Sequence, residues 1–511
     1  MHIILDTLVF HSHSSIDIDA ITYNFILKNV IFYIFQFLVT VGIAIGSISD
    51  GFIFGQMSGM IDKLHSNHSS IPISDEFVSW IASTINITCF VGFAVVAVIT
   101  EMWGRRYSVT VMSMPALISW ILTYFAQDKY VLLLTRVLAG LSYGGILFLS
   151  YTNIGEYMTP SFRFLAFNML VCVGSMTGTM MGHVLSVIMN WRNVALIGIL
   201  PTMLSAAIPL FWVESPMWLA SKGRFEESEK AFRALHPSNE NSDKELKNLI
   251  AMETDKQLKY SRGGISSTSY FKKIFITIRQ RYFWKLYSLS IVVNVYRVAA
   301  GRVLFSTLAI TMLQDISGTS DILTFTLLTN GFSIFGATIS FIFMRKYKMR
   351  QLLFPTGILA NLLLVSLGLL LLIRPEKDVI TNWAKILLLA LYLVTVAAGP
   401  YPVLEALLTE INPLEVKSFC LITLGILIGV IQFLAVKLAP GMFISIGYHG
   451  VFFLNAAIVF ICLLYLWFYM PETKGRSLQE IEVYFKNNKY DDNAFKFEQS
   501  KELLELKKDV A

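Results

Sequence analysis

Four ionisable side chains stand where water is scarce. Arg297 and Arg302 lie well inside one long apolar run, Asp50 lies inside another, and Glu405 belongs to a third. A charge at a bilayer centre costs about 2.5–3.5 kcal/mol on insertion scales, so such groups face a protein interior and find partners. Three chemistries are open to them. Asp50 or Glu405 can neutralise Arg297 or Arg302 as a structural pair, the arginines can bind a charged solute or substituent, or one of the two acids can take up a proton. Covalent chemistry has no support: there is no nucleophile–base pair, nucleotide loop or metal-ligand cluster. Neither enzymatic activity, a metal nor a cofactor is expected. The cysteines Cys89, Cys172, Cys420 and Cys462 all fall in apolar runs and read as small buried hydrophobes.

The elements that position these residues follow from composition. The 511 residues are 55% hydrophobic and 15% charged, against about 25% charged in soluble proteins, and the mean hydropathy is +0.60. The deficit of charge fits extensive lipid contact. The net charge of +6 comes without a basic–aromatic patch, so nucleic acid is not an expected partner. The first residues hold Asp6, Asp17 and Asp19 and lack a basic n-region with a cleavage site, which predicts that the first helix itself directs membrane insertion.

A helix needs about 20 apolar residues to cross a bilayer. Scanning at that length predicts spans near 30–55, 77–99, 107–126, 130–152, 165–189 and 194–213, then 284–312, 321–344, 350–373, 383–408, 418–439 and 447–470. The expected fold is an all-α membrane protein of twelve transmembrane helices in two six-helix pseudo-repeats. It divides into an N-terminal segment 1–29, a bundle 30–213, a linker 214–283, a bundle 284–470 and a tail 471–511. Arg105, Arg106, Arg163, the linker, Arg345, Lys346, Lys348, Arg350 and Lys417 share one side, which the positive-inside tendency makes cytoplasmic together with both termini. The opposite side carries segment 56–76 with a glycosylation sequon at Asn67, whereas the sequon at Asn86 falls within a span. Phe225, Phe232 and Leu235, and again Leu246, Leu249 and Ile250, predict short amphipathic helices in the linker.

Two loops repeat one grammar. Glu156 and Arg163 flank Pro160, and Glu410 and Lys417 flank Pro413 at the same separation, each pair between apolar runs. A second echo pairs Glu214–Ser215–Pro216 with Pro471–Glu472–Thr473. Duplication of an apolar bundle builds a central site with a gate on either side.

With Gly104–Arg105–Arg106, Arg136 through Gly140, Glu214 through Leu219 followed by Lys222–Gly223–Arg224, and Pro471 through Ile481, the chain resembles the sugar porter branch of the major facilitator superfamily from about residue 40 to 485. Phe433 through Leu438, and Glu101 where most relatives have aspartate, resemble the insect facilitated trehalose transporter group within it. The resemblance implies a cytoplasmic gate of Glu101, Gly104, Arg105, Arg106, Glu156, Arg163 and Glu214 in the first half. Its counterpart is Arg350, Glu410, Lys417 and Glu472 in the second, where the Gly-Arg-Arg copy has degenerated to Arg345 through Arg350.

The resemblance also implies a solute cavity at the bilayer midplane, and there the chain departs from the family. Arg297–Val298–Ala299–Ala300–Gly301 stands where the family has Gln-Gln-x-Ser-Gly, and Val171 replaces a further glutamine. Glu405 replaces the tryptophan that follows Gly399–Pro400, while Asn330 matches a sugar-contacting amide. The expected cavity set is Asn330, Arg297, Arg302, Glu405 and Asp50, with Gly301, Gly399 and Pro400 as points of helix flexibility. The expected activity is multi-pass carriage of a small polar solute, trehalose or a hexose, across the plasma membrane. A non-transporting sensor and a carrier of a charged or non-sugar solute are the alternatives, and an ion pore is disfavoured because no ring of like charge is present.

Overall fold

The computed structural model of the chain describes residues 17–65, 71–158, 166–236, parts of 242–254, 275–317, 322–373, 379–411, 417–474 and 484–485. Eleven of its helical stretches are long and apolar enough to cross a membrane. The longest of these, Ile422–Tyr469, holds two crossings, because Gly447 (φ 71°) turns the chain back between them. Twelve crossings result.

The first six are α1 (Asp17–His65), α2 (Asp75–Trp103), α3 (Arg105–Phe125), α4 (Lys129–Tyr157), a π-helical turn (Phe167–Val173) leading into α5 (Gly174–Ile188), and α6 (Trp191–Ala207). Short helices α7 (Pro216–Ser221) and α8 (Phe225–Leu235) follow. The second six are α9 (Arg281–Ala299) with α10 (Arg302–Ser317), α11 (Ile322–Lys346), α12 (Met349–Ile373), α13 (Val379–Ala398) with α14 (Pro400–Glu410), and the doubled α15 (Lys417–Tyr469). Polar side chains set the starts: Ser74, Asp128 and Asn190 each accept a backbone N–H from the first turn of α2, α4 and α6. Apolar side chains such as Ile380, Ile444 and Phe468 lie exposed on the bundle surface, the arrangement lipid contact requires.

Segment 56–76, expected as a polar loop, is helical through His65. Met57, Met60, Ile61 and Leu64 recur at helical spacing and are buried, so packing extends the helix past the end of the apolar run. The linker expectation meets α8, whose Phe232 and Leu235 are buried while Phe225 is half-buried. Gln36 of α1 donates to the carbonyls of Leu235 (2.7 Å) and Tyr157 (3.0 Å), which fastens α8 to the first bundle. In the second expected linker helix Leu246 is buried and Leu249 and Ile250 are half-buried. Asn67 lies outside the described residues.

The halves meet along α1 with α10, α2 with α15, and α5 with α11. Within the first half α1 packs most extensively on α5. Small residues at four-residue spacing make that approach possible: Gly51, Gly55 and Gly59 lie against Ser175, Thr179 and Ser186 of α5, and Gly174, Gly178 and Gly182 lie against Ser47, Ile48 and Gln56 of α1. A Cβ on Gly178 would fall 2.0 Å from the Ile48 carbonyl oxygen, and one on Gly55 would fall 2.3 Å from that of Thr179. Neither obstacle is a flexible side chain. Gly178→Leu is therefore expected to destabilise the bundle by about 3 kcal/mol or more, the upper range for overpacking. Thermal unfolding in detergent checks this, and an unchanged midpoint would refute the close contact.

Candidate solute cavity and its gates

Two broken crossings build the centre of the second half. Gly301 adopts φ +77°, which ends α9 at Ala299 and starts α10 at Arg302. Gly399 (φ −124°, ψ −77°) separates α13 from α14, with Pro400 in the first turn that follows. Each break frees backbone groups that lipid cannot satisfy. Tyrosines on either side of the second break serve the first. Tyr392 donates to the Ala300 carbonyl (2.9 Å), and the Tyr401 hydroxyl accepts the Arg302 N–H (3.0 Å) and reaches the Arg297 carbonyl (3.4 Å). The residues expected to confer flexibility are thus the two discontinuities themselves, held together by two phenols.

Beside these breaks lies a cavity of about 90 Å³. Its walls include Met176, Thr179 and His183 of α5, Arg302, Phe305 and Ser306 of α10, Asn330 of α11 and Tyr401 of α14. It therefore draws on both halves. His183 bridges them, with one ring nitrogen 3.2 Å from Asn330 Oδ1 and the other 3.0 Å from the Ser306 carbonyl oxygen. The Arg302 guanidinium lies over the Tyr401 ring, 5.4 Å from its centroid.

The four intramembrane charges separate into different roles. Arg297 and Glu405 form an ion pair between α9 and α14, within the second half and not across the cavity. The other Glu405 oxygen accepts from Tyr151 of α4 (2.9 Å), so the crossing between halves is made by a phenol. Arg297 also donates to Asn294 Oδ1 (3.2 Å). Asp50 is buried in α1 and makes no hydrogen bond or ion pair among the described residues, so it neutralises neither arginine. Arg302 and Asn330 line the cavity; Arg297 and Glu405 lie one layer away, toward the face that carries α7 and α8, hereafter the linker face.

Several residues here escaped the sequence reading. His183 is an ionisable residue inside a span, the same signal that singled out Arg297, and Arg136, named in the sequence only as part of a family motif, is a second. Arg136 is fully buried among neutral partners, donating to Thr123 (3.0 Å), Thr135 (3.1 Å) and Gln56 (3.4 Å). Tyr151 carries no comparable signal, since a tyrosine in an apolar helix is ordinary. Asn168 is another, bonding Ser340 (2.7 Å) and thereby joining α11 to the π-helical turn.

The linker face of the first half is a connected charge network. Arg105 holds Glu156 bidentately (2.7 and 2.9 Å) and gives its backbone N–H to Glu214 (2.7 Å). Ser215 donates to Glu156, and Arg106 lies 3.9 Å from Glu214 while donating to the Trp212 carbonyl (3.2 Å). Glu101 meets Lys222 at 3.5 Å in an exposed contact worth little. Gly104 is required here twice over: its φ is +84°, and a Cβ would fall 2.4 Å from a Glu214 carboxylate oxygen. Gly104→Val is expected to break the network and lower uptake about tenfold or more, measured at equal surface expression.

The second half is built differently. Glu472 accepts the backbone N–H groups of Met349 (3.0 Å) and Arg350 (3.1 Å) at the start of α12. The Arg350 guanidinium is directed at the carbonyls of Met470 and Trp467. Among the described residues, capping and carbonyl bonds stand where the first half uses a carboxylate–guanidinium pair, consistent with the lost glycine and acid of its signature. Arg163 and the side chains of Glu410 and Lys417 lie outside the described residues.

The family described as sugar (and other) transporter matches residues 31–485. The facilitated trehalose transporter Tret1 of Polypedilum vanderplanki is 23% identical over 461 residues, covering 89% of this chain and 88% of that one. The Bombyx mori protein of the same name is 24% identical over 458 residues, covering 88% and 86%. Among solved structures, the proton:xylose symporter XylE bound to 6-bromo-6-deoxy-D-glucose superposes with a TM-score of 0.71 at 16% identity, covering 89% of this chain and 100% of that one. The inward-open xylose transporter XylE from E. coli gives 0.65 at 16% identity, covering 88% and 99%. These likenesses establish the twelve-crossing fold.

Proposed function

The chain belongs to the sugar (and other) transporter family, and from that premise we propose that it is a secondary carrier moving a small sugar-like solute by alternating access. Trehalose or a hexose is the starting candidate, drawn from the names of its relatives. The carrier works in the plasma membrane with the linker face and both termini cytoplasmic. No chemical step is involved. The observation that carries this reading is the cavity at the meeting of the halves, where His183 and Asn330 join α5 to α11 beside two broken helices.

In this reading the cavity's amide, imidazole and hydroxyl groups take the solute's hydroxyls, and Phe305 and Tyr401 offer it ring faces. The Arg105–Glu156–Glu214 network holds the first bundle in one of two arrangements. Tyr151–Glu405 and Asn168–Ser340 join the halves between the cavity and the linker face, and both contacts must part for solute to leave on that side.

The test is uptake by the purified protein in proteoliposomes across a panel of hexoses, disaccharides and sugar acids at two pH values. Saturable uptake is expected. Asn330→Ala is expected to lower it about tenfold, because a buried imidazole and the solute each lose a partner. Binding without flux would identify a sensor and contradict the proposal.

A further inference from the structure

We infer that the cavity is selective for a monoanionic, hydroxylated solute of the sugar-acid class, with Arg302 as the group that recognises its carboxylate. The inference rests on reading this cavity as the solute site. It starts from the inequality of two arginines five residues apart. Arg297 has a dedicated acid, Glu405, whose other oxygen is already taken by Tyr151. Arg302 has none: among the described residues no carboxylate lies within ion-pairing distance of it. Asp50, the other intramembrane acid considered above, stays in the first bundle and does not reach the cavity wall.

One positive charge is therefore left over, and it lines the cavity. Its site is prepared as well as charged. The Tyr401 ring lies under the guanidinium and the Cys172 thiol meets one of its N–H groups, which leaves the remaining donors for another partner. A planar guanidinium with one uncompensated charge matches a carboxylate, which it can hold through two parallel bonds. Around it Asn330, His183 and Thr179 provide the hydroxyl-bonding groups a sugar ring needs, and Phe305 an apolar face. The loss of the neutral amides expected in the family and the gain of this cation are then one change, from recognising a hydroxyl to recognising an anion.

The test compares D-glucuronate with D-glucose, which differ at one carbon, in proteoliposomes holding the full chain. Binding is followed in parallel by the ligand-induced shift of the thermal unfolding midpoint. The wild-type protein is expected to take up glucuronate at least about tenfold better than glucose at equal concentration. Arg302→Gln is expected to lower the glucuronate-to-glucose ratio about tenfold or more, and Arg302→Lys to keep part of it. Should Arg302→Gln fail to fold, the wild-type midpoint shift by glucuronate against glucose decides the matter. Glucose preferred or equal in the wild type, or a ratio unmoved by Arg302→Gln, overturns the inference while leaving a carrier in place. Glucuronate-selective binding without flux supports the inference and overturns the carrier reading instead.

Discussion

Exchanging the charges of Arg297 and Glu405 singly is expected to abolish uptake, and exchanging both together to restore a measurable part of it. The single changes are severe for different reasons. Arg297→Glu puts two carboxylates against each other where only 5% of the Glu405 side chain and 19% of the arginine side chain are exposed. Glu405→Arg sets a second guanidinium directly against Arg297, with Arg302 one layer away at the cavity wall. Breaking a buried pair by removing one partner costs about 3–5 kcal/mol, because the remaining charge stays buried. The double variant recovers the attraction with its direction reversed. Recovery is partial, since Tyr151 then faces a guanidinium and its hydroxyl must accept where it now donates. A further variant isolates that contact. Tyr151→Phe keeps the ion pair and removes its hydrogen bond across the halves, so it is expected to change transport rate by several-fold with little effect on the unfolding midpoint. A double variant as inactive as either single one would exclude direct pairing as the role of these residues.

Arg105→Leu carries the second large expectation. The side chains of Arg105 and Glu156 are 13% and 11% exposed, so the bidentate contact between them is well shielded from water. Its loss also leaves Glu156 with Ser215 as its remaining donor in the network and withdraws the guanidinium from the Thr100 carbonyl. Charged hydrogen bonds of this kind contribute about 1.5–3 kcal/mol. Spent on one of two conformations, that amount shifts their ratio about 10- to 150-fold. The expected result is a loss of uptake of about tenfold or more. Faster modification of the buried Cys172 by a thiol reagent should accompany it as the halves part more often. Unchanged Cys172 reactivity with normal uptake would reduce the network to a determinant of membrane orientation. Arg350→Leu is the informative contrast, because that side chain bonds carbonyls and its removal strands no carboxylate it grips.

The sequence and the structure agree most where physics is one-dimensional. Span number and the amphipathic linker helix follow from the length of apolar runs and from helical spacing, and both are seen in the fold. The end of α1 was misread because Met57, Met60, Ile61 and Leu64 are separated by polar residues that lower the local mean without changing the buried face. Breaks at Gly301 and Gly399 were visible as residue types, but their mutual repair by Tyr392 and Tyr401 depends on two helices touching, which no spacing along one chain encodes. The intramembrane charges were legible as a set and not as pairs. In the sequence Asp50, Glu405, Arg297 and Arg302 all fall under the same expectation of burial with a charged partner, which only Arg297 and Glu405 meet. Only three-dimensional placement separates the arginine that has its acid from the one that does not. The Gly51–Gly55–Gly59 and Gly174–Gly178–Gly182 series were in plain view, and small residues every fourth position are a known sign of close helix contact.

Solute counterflow in proteoliposomes tests the central claim most directly. Vesicles containing the full chain are loaded with unlabelled solute and diluted into a trace of the same solute carrying a label. A carrier whose single cavity is exposed to one side at a time exchanges inside for outside molecules. The account predicts a transient accumulation of label above its external concentration, followed by decay, and loss of that overshoot in Arg297→Glu. Label that rises only to equilibrium with no overshoot, or binding with no movement at all, would contradict it.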